Sequence, residues 1–314
     1  MLTYVVRRVL YSIPVVLIAS FLLFTFVRST FDPTARLRAS RDPGVVQRER
    51  DRLGLNDPLV VQYKTWLGNA LTGDLGESSR TNEEVTSMVR RAMGKTLQLI
   101  GWGALVSAVI AISIGVYSAV RQYSVPDYLF TGLSYIGIAM PPFWFGLIAI
   151  SLFAVKYRIF YSLGLHSVGQ EGFNLDYVRH LALPVATLSV QIVASWSRFE
   201  RASMLDVLGA DYVRTARAKG VPQRTVIMKH ALRNALIPLV TVMSLDIGAL
   251  FGGLIITEAI FAISGMGRLF LDALIQGDVY VLEAWMVIVA VTIIGFNLLA
   301  DVLYGVLDPR IRLS

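Results

Sequence analysis

Six long apolar segments constrain this chain more than any other feature of its sequence. They lie at about residues 9–28, 97–120, 128–155, 181–198, 232–258 and 283–306. About 20 apolar residues in a helix are enough to cross the roughly 30 Å hydrocarbon layer of a bilayer. A lone segment in lipid can satisfy its backbone hydrogen bonds only as a helix. The sequence therefore predicts an all-α protein with six transmembrane helices, embedded in a lipid bilayer.

The residue content argues against several classes of functional site. The chain has no cysteine, so it has no disulfide and no thiolate metal site. Its three histidines are far apart, and we find no carboxylate pair or Ser-His-Asp order. Segment 93–96, MGKT, resembles the end of a phosphate-binding loop, but Val89 stands where that loop requires a glycine. We therefore expect no metal, no cofactor and no enzymatic activity on this chain.

Lys and Arg residues in the short loops predict how the helices are oriented. Arg7 and Arg8 precede the first apolar segment, the loop 198–231 is basic, and Arg310 and Arg312 lie near the end of the chain. Short loops rich in Lys and Arg stay on the cytoplasmic side of a membrane. We therefore expect both termini inside. We attribute the net charge of +7 to these loops rather than to a nucleic-acid partner.

The apolar segments divide the chain into four parts. These are an uncleaved first transmembrane helix (1–29), an extracytoplasmic insertion (30–95), a five-helix core with the cytoplasmic loop 198–231 (96–306), and a cytoplasmic tail (307–314). In the insertion, Asp57 as N-cap and Pro58 as first residue predict a helix. The apolar face of that helix should pack on the outer ends of the transmembrane helices, and it comprises Leu59, Tyr63, Trp66, Leu67 and Ala70.

Two patterns inside the apolar segments indicate special packing. Pro141 and Pro142 remove two backbone donors and predict a break in the third helix, either a packing kink or a break that lines a pore. Gly248 and Gly252 are spaced so that another helix can approach closely. Both a contact within the chain and a contact with a partner subunit fit that spacing.

Acidic residues are rare in the apolar segments. Asp246 in the fifth segment should face a cavity or the bundle interior, because a carboxylate in lipid costs about 3 kcal/mol. A site for a coupling ion is the alternative. Glu258 and Asp301 lie nearer the segment ends, where we expect ion pairs at the membrane interface.

The cytoplasmic loop 198–231 contains a short helix. Asp211 is expected to be its N-cap, Tyr212 to Lys219 its body, and Gly220 the residue that permits the turn after it. One stripe of this helix carries small and aromatic side chains, namely Tyr212, Thr215, Ala216 and Lys219. The stripe fits close docking to another protein. The alternative is an amphipathic helix that lies on anionic lipid headgroups.

Segment 211–238, DYVRTARAKGVPQRTVIMKHALRNALIP, resembles the EAA loop in permease subunits of ABC importers of the dipeptide, oligopeptide and nickel type. Residues 214–216, Arg-Thr-Ala, occupy the E-A-A positions, and Gly220 occupies the loop glycine. The first position departs from the general Glu, as it does in the peptide-importer branch. Further matching segments are LGLNDPL (53–59), GDLG (73–76), SMLDVLG (203–209), TEAIF (257–261), GMGRL (265–269) and DVLYGVLDPRIR (301–312). The resemblance therefore covers nearly the whole chain.

The resemblance implies a permease core with a type I ABC importer fold in a bacterial inner membrane. It implies a second permease subunit, two subunits that bind ATP and Mg²⁺, and an extracytoplasmic binding protein that delivers peptides. The residues expected to couple to the ATPase are Asp211, Tyr212, Arg214, Thr215, Ala216, Arg217, Lys219 and Gly220. Among them, the aromatic and small side chains would enter a groove of the ATPase, and the basic ones would pair with acids at its rim. The weaker candidates for the pathway lining are Pro141, Pro142, Ser244 and Asp246.

Other functions remain open at this point. A secondary transporter would use Asp246 as an ion site, although no internal repeat is visible. A membrane scaffold would bind lipid through loop 198–231. Nickel chelates and glutathione are alternative substrates of similar permeases.

Overall fold

In the computed structural model, residues 2–35, 37 and 43–307 are described, and within these ranges the chain forms helices and no strand. The predicted tail beyond Leu307 lies outside the described residues. The helices are α1 (Leu2–Thr30), α2 (Pro43–Arg52), α3 (Leu59–Leu71), α4 (Val85–Val120), α5 (Val125–Ala139), α6 (Pro142–Ala149), α7 (Leu175–Leu208), α8 (Asp211–Ala218), α9 (Gln223–Thr225), α10 (Leu232–Gly253), α11 (Ile255–Ile260), α12 (Met266–Gln276) and α13 (Val279–Leu307). Two π-helical segments, Ile150–Lys156 and Val226–Ala231, follow α6 and α9 directly.

The structure has five or six membrane-spanning elements, where the sequence predicts six. Among the described residues, five helices are long and apolar enough to cross a membrane, and there are six spans if a bent pair of helices is counted as one. The helices are longer than the apolar segments. α4 begins eleven residues before the predicted domain boundary at 96, and α7 continues ten residues past 198 into the predicted loop. These extensions are polar, so hydropathy alone did not reveal them.

The break in the third span is confirmed. α5 ends at Ala139, α6 starts at Pro142, and their axes differ by 102°. The cause is local, since a proline ring excludes the helical conformation of the preceding residue and removes an N–H. The carbonyl of Met140, at the break, accepts a hydrogen bond from Gln191 Nε2 of α7 at 3.2 Å.

α4 and α7 form the centre of the bundle. A Cβ atom on Gly103 would lie 2.4 Å from Leu188, and one on Gly115 would lie 2.7 Å from Glu200. Glycine at these positions therefore permits the close approach of the two helices. The largest fully buried apolar side chains of the cluster around them are Trp196, Leu99, Phe251, Phe261, Leu239, Leu254 and Ile263.

α10 packs on α13 within the chain through the glycines singled out in the sequence. A Cβ atom on Gly248 would lie 2.6 Å from Cβ of Phe296, whereas one on Gly252 would be 3.8 Å from Val289. The contact within the chain, one of the two alternatives, is therefore present.

Gly248→Ala should consequently destabilise the protein by about 1–3 kcal/mol, because the added methyl group overpacks the α10–α13 contact. Gly252→Ala is the matched control, and it should leave stability unchanged because its methyl group has ordinary van der Waals space. Thermal unfolding of both purified variants in the same detergent measures the difference. Equal midpoints for the two variants would contradict the packing described here.

The predicted extracytoplasmic insertion packs on the C-terminal half of α1. Tyr63 and Trp66 of α3 pack against Phe24, and the hydroxyl groups of Tyr63 and Ser20 are 2.6 Å apart. The predicted apolar face of α3 is thus confirmed at its centre, while Leu59 is exposed. The predicted helix start is off by one residue, because Pro58 is the N-cap and no side chain caps the helix.

The insertion is also tied to the last span. Ser78 donates its hydroxyl hydrogen to the buried carboxylate of Asp278, and the backbone N–H of Ser79 donates to the same carboxylate at 3.2 Å. Beneath this contact, Arg28 of α1 forms an ion pair with Glu283 of α13, and both side chains are buried. At the opposite end of the same two helices, Arg8 pairs with Asp301 at 3.3 Å. The ion pair predicted for Asp301 is therefore confirmed.

Candidate functional site

α8 has the length and position that the sequence predicts. α7 ends at Leu208, Gly209 follows it, and α8 covers Asp211–Ala218. Asp211 is not the N-cap; Ala210 is, and the Asp211 carboxylate instead forms an ion pair with Arg214 one turn later. Gly220 has φ of +76°, a conformation that favours glycine, so its role in the turn after α8 is physically required.

The inner face of α8 is formed by Val213 and Ala216. Val213 is fully buried and Ala216 is 7% exposed, and both pack with Val226 of the π-helical segment. The stripe predicted from the sequence is therefore wrong in one member, since Ala216 faces its own chain while Tyr212, Thr215 and Lys219 are exposed. The apolar pair at i and i+3, Val213 and Ala216, was the signal that the prediction overlooked.

α8 is held at the junction between α7 and α10. The hydroxyl oxygen of Tyr212 accepts a hydrogen bond from Asn234 Nδ2 at 3.1 Å. Nearby, Ser203 of α7 donates to the backbone carbonyl of Ala235 at 2.8 Å. The predicted loop 198–231 is in fact two helix extensions with α8 seated between them. α8 thus contacts both the end of α7 and the start of α10.

The outer face of α8 is free within the described chain and is mostly charged. Its exposed side chains are Asp211, Tyr212, Arg214, Thr215, Arg217, Ala218 and Lys219. Arg217 and Lys219 make no ion pair with any described residue, whereas Arg214 pairs with Asp211. The arrangement offers small side chains in the middle of a cationic surface.

The residues proposed for the pathway differ in exposure. Pro141 is exposed and Pro142 is half-buried at the break between α5 and α6. Asp246 is half-buried, and one of its oxygens accepts a hydrogen bond from Trp196 Nε1 at 2.7 Å. Ser244 is buried and donates its hydroxyl hydrogen to the carbonyl of Val240 at 2.9 Å. Ser244 therefore caps a carbonyl of its own helix rather than facing open space.

Glu258 does not form the ion pair predicted for it. Its fully buried carboxylate accepts hydrogen bonds from the Thr96 hydroxyl at 2.6 Å and from the backbone N–H of Arg268 at 3.0 Å. Thr96 in turn accepts from the N–H of Met266 at 2.8 Å. The carboxylate thus accepts a hydrogen bond from a backbone N–H in the first turn of α12, and the N-terminus of a helix favours negative charge. Thr96 belongs to the MGKT segment, which lies inside α4 and not in a loop.

Two further buried acids were missed in the sequence. Asp127 at the start of α5 forms an ion pair with Arg201 of α7 at 2.8 Å. Glu200 is fully buried, and neither carboxylate oxygen has a hydrogen-bond partner among the described residues. Asp127 lies in the first turn of α5, and Glu200 lies in the last third of α7. In the part of the chain that the structure describes, no group of three or more acidic or His side chains could hold a metal ion.

Comparison with known proteins covers the full length of the chain. Residues 111–313 match the family described as "Binding-protein-dependent transport system inner membrane component", and residues 1–100 match the corresponding N-terminal family. The oligopeptide transport system permease protein AppB of Bacillus subtilis is 40% identical over 99% of this chain and 100% of its own length.

Two other relatives have similar coverage. A putative peptide permease protein of Brucella ovis is 38% identical over 100% of both chains. The glutathione transport system permease protein GsiC of Escherichia coli K12 is 38% identical over 99% of both chains.

Proposed function

The chain belongs to the family of binding-protein-dependent transport system inner membrane components, and from this premise we propose that it forms half of a peptide pathway that is driven through α8. It is a multi-pass permease subunit of a bacterial inner-membrane ABC importer and not itself an enzyme. Permeases of this family act with ATPase subunits, a substrate-binding protein and a second permease.

The substrate class we propose is peptides. The relatives named above are permeases for oligopeptides, peptides and glutathione. These molecules share amide groups between charged ends. Nickel chelates have no such support among these relatives.

The single observation that carries the coupling role is that α8 has one buried apolar face and one exposed, mostly charged face. Val213 and Ala216 are buried against the chain itself, and Thr215 and the charged residues are exposed. A helix that lies on lipid headgroups inserts its apolar face into the membrane. In α8 this apolar face is already occupied by Val226, so lipid binding is disfavoured.

The outer face of α8 is suited to contact with a protein partner. Thr215 and Ala218 allow close approach, while Arg214, Arg217 and Lys219 can pair with acids at the rim of a groove. We propose the ATPase subunit as that partner, with ATP and Mg²⁺ bound on the partner. ATP-driven closure of the two ATPase subunits would then move α8, and with it α7 and α10, as a rigid-body switch between outward and inward access.

Cysteine cross-linking tests this coupling role directly, since the chain has no cysteine of its own. Thr215→Cys, labelled with a short reagent that carries a thiol-reactive and a photoactivatable group, should form a cross-link to the ATPase subunit in the native complex. Val168 is fully exposed and lies in the loop between the Ile150–Lys156 segment and α7. Val168→Cys is the matched control. It should react with a thiol probe but should not cross-link to the ATPase.

The cross-linking result has a clear negative outcome. If Thr215→Cys is labelled by a soluble thiol probe as readily in the complete complex as in the isolated permease, α8 is not covered by a partner. The proposed coupling role would then be wrong, while the family assignment would stand.

A further inference from the structure

Asp246 is an acid inside a membrane span whose charge is not balanced by any described residue. Its carboxylate accepts one hydrogen bond, from the indole N–H of Trp196 at 2.7 Å. No Lys, Arg or His of the described chain forms an ion pair with it. The indole is a neutral donor, so the negative charge still requires a cation or water.

Asp246 lies on α10 beside the exposed side of that helix. Leu245 and Ala249 mark the exposed side of α10, and Asp246 lies at its flank, half-buried. A carboxylate that is partly accessible within a span faces a water-filled cavity or another subunit, because lipid offers no compensating group. On the proposed function, this side of α10 would face the pathway that two permease subunits enclose.

Other polar groups lie at a similar depth. Trp196 and Gln191 are five residues apart on α7, about 7.5 Å along the helix axis. Gln191 Nε2 donates a hydrogen bond to the backbone carbonyl of Met140 at the break between α5 and α6. A non-helical backbone at this depth is tolerated where it is buried in protein or lines a cavity. The break between α5 and α6 and the carboxylate of Asp246 on α10 thus both lie next to α7.

The chemistry of the site favours an organic ammonium group over a metal ion. Ca²⁺ and Mg²⁺ need six or more oxygen ligands, and the described residues offer no group of acids that could supply them. An ammonium group donates up to three hydrogen bonds and is satisfied by one carboxylate with water or a carbonyl. Such a group is present at the amino terminus of a peptide.

We propose that Asp246 binds the positively charged amino terminus of the transported peptide, and that Trp196 is a positioning residue that orients the carboxylate. This inference rests on the proposed function, because it names what the pathway recognises in its substrate. The hydrogen bond from Trp196 fixes one oxygen and leaves the other for the ammonium group. Charge-assisted hydrogen bonds of this kind are about twice as strong as neutral ones.

The test compares two forms of one short peptide, with a free or an acetylated amino terminus. Equilibrium binding of the labelled peptides to the purified permease–ATPase complex is measured at pH 6.5 without the binding protein. The wild-type complex should bind the free form about tenfold more tightly. Asp246→Asn should abolish that preference, and Trp196→Phe should reduce it. Asp301→Asn, an acid paired with Arg8 at the far end of α13, should keep it.

Several outcomes would overturn the inference. These are equal binding of the two peptides to the wild-type complex, a preference that survives in Asp246→Asn, and no measurable binding at all. A dependence of wild-type uptake on Na⁺ that disappears in Asp246→Asn would assign the site to a small cation instead. Failure of the proposed function is distinguishable, because the wild-type complex would then show no ATP-driven peptide uptake.

Discussion

Glu283→Ala is expected to destabilise the protein by about 3–5 kcal/mol, because it leaves the buried guanidinium group of Arg28 without its counter-charge. The pair joins α1 to α13, with Arg28 Nη2 donating to Glu283 Oε2 at 3.1 Å. Arg28 also lies over the rings of Phe24 and Tyr280, at 5.2 and 5.3 Å, so it cannot easily turn towards water. Thermal unfolding in detergent should show a midpoint lower by about 10 °C.

Asp301→Ala is the matched control for that variant. It removes the second ion pair between α1 and α13, in which Arg8 and Asp301 are 47% and 37% exposed. Exposed ion pairs contribute about 0–1 kcal/mol, so the unfolding midpoint should hardly change. If both variants unfold at the same temperature, burial of the Arg28–Glu283 pair is not what stabilises the α1–α13 contact.

Ala216→Glu should abolish uptake while the permease still inserts into the membrane. A charged side chain at this position cannot stay in the contact with Val213 and Val226, since a buried unpaired carboxylate costs several kcal/mol. α8 should therefore leave its seat at the junction of α7 and α10. The expected result is ATP hydrolysis that no longer responds to substrate, measured together with uptake in proteoliposomes.

Ala216→Ser controls for the substitution itself, because the serine side chain is nearly as small and carries no charge. It should retain most of the uptake rate. Cross-linking through Thr215→Cys, combined with each change, shows whether α8 has moved. Normal uptake by Ala216→Glu would mean that the seat of α8 is not needed for coupling.

Much of the fold could be predicted from the sequence because the bilayer imposes strict rules. The spans follow from the length of apolar runs, and the break at Pro141 and Pro142 follows from the missing backbone donors. The bounds of α8 follow from Gly209 and Gly220. These features depend on residues close together in the chain, so a local reading is sufficient.

The features that could not be predicted depend on partners that are distant in the chain. Glu258 was expected in an ion pair, but Thr96 and the start of α12 satisfy it. The buried face of α8 depends on Val226 and on the fold of the α7–α10 junction. Nothing near Glu283 in the sequence indicates that Arg28, at the other end of the chain, compensates its charge.

The charged outer face of α8 has a consequence for the stability of the assembled importer. Three cationic side chains surround Thr215 and Ala218, and Tyr212 is the one large aromatic group exposed there among the described residues. Attraction between exposed charges is screened over about 10 Å at 0.1 M ionic strength. If an ATPase subunit docks at this face, as proposed, we expect its binding to weaken as the ionic strength rises.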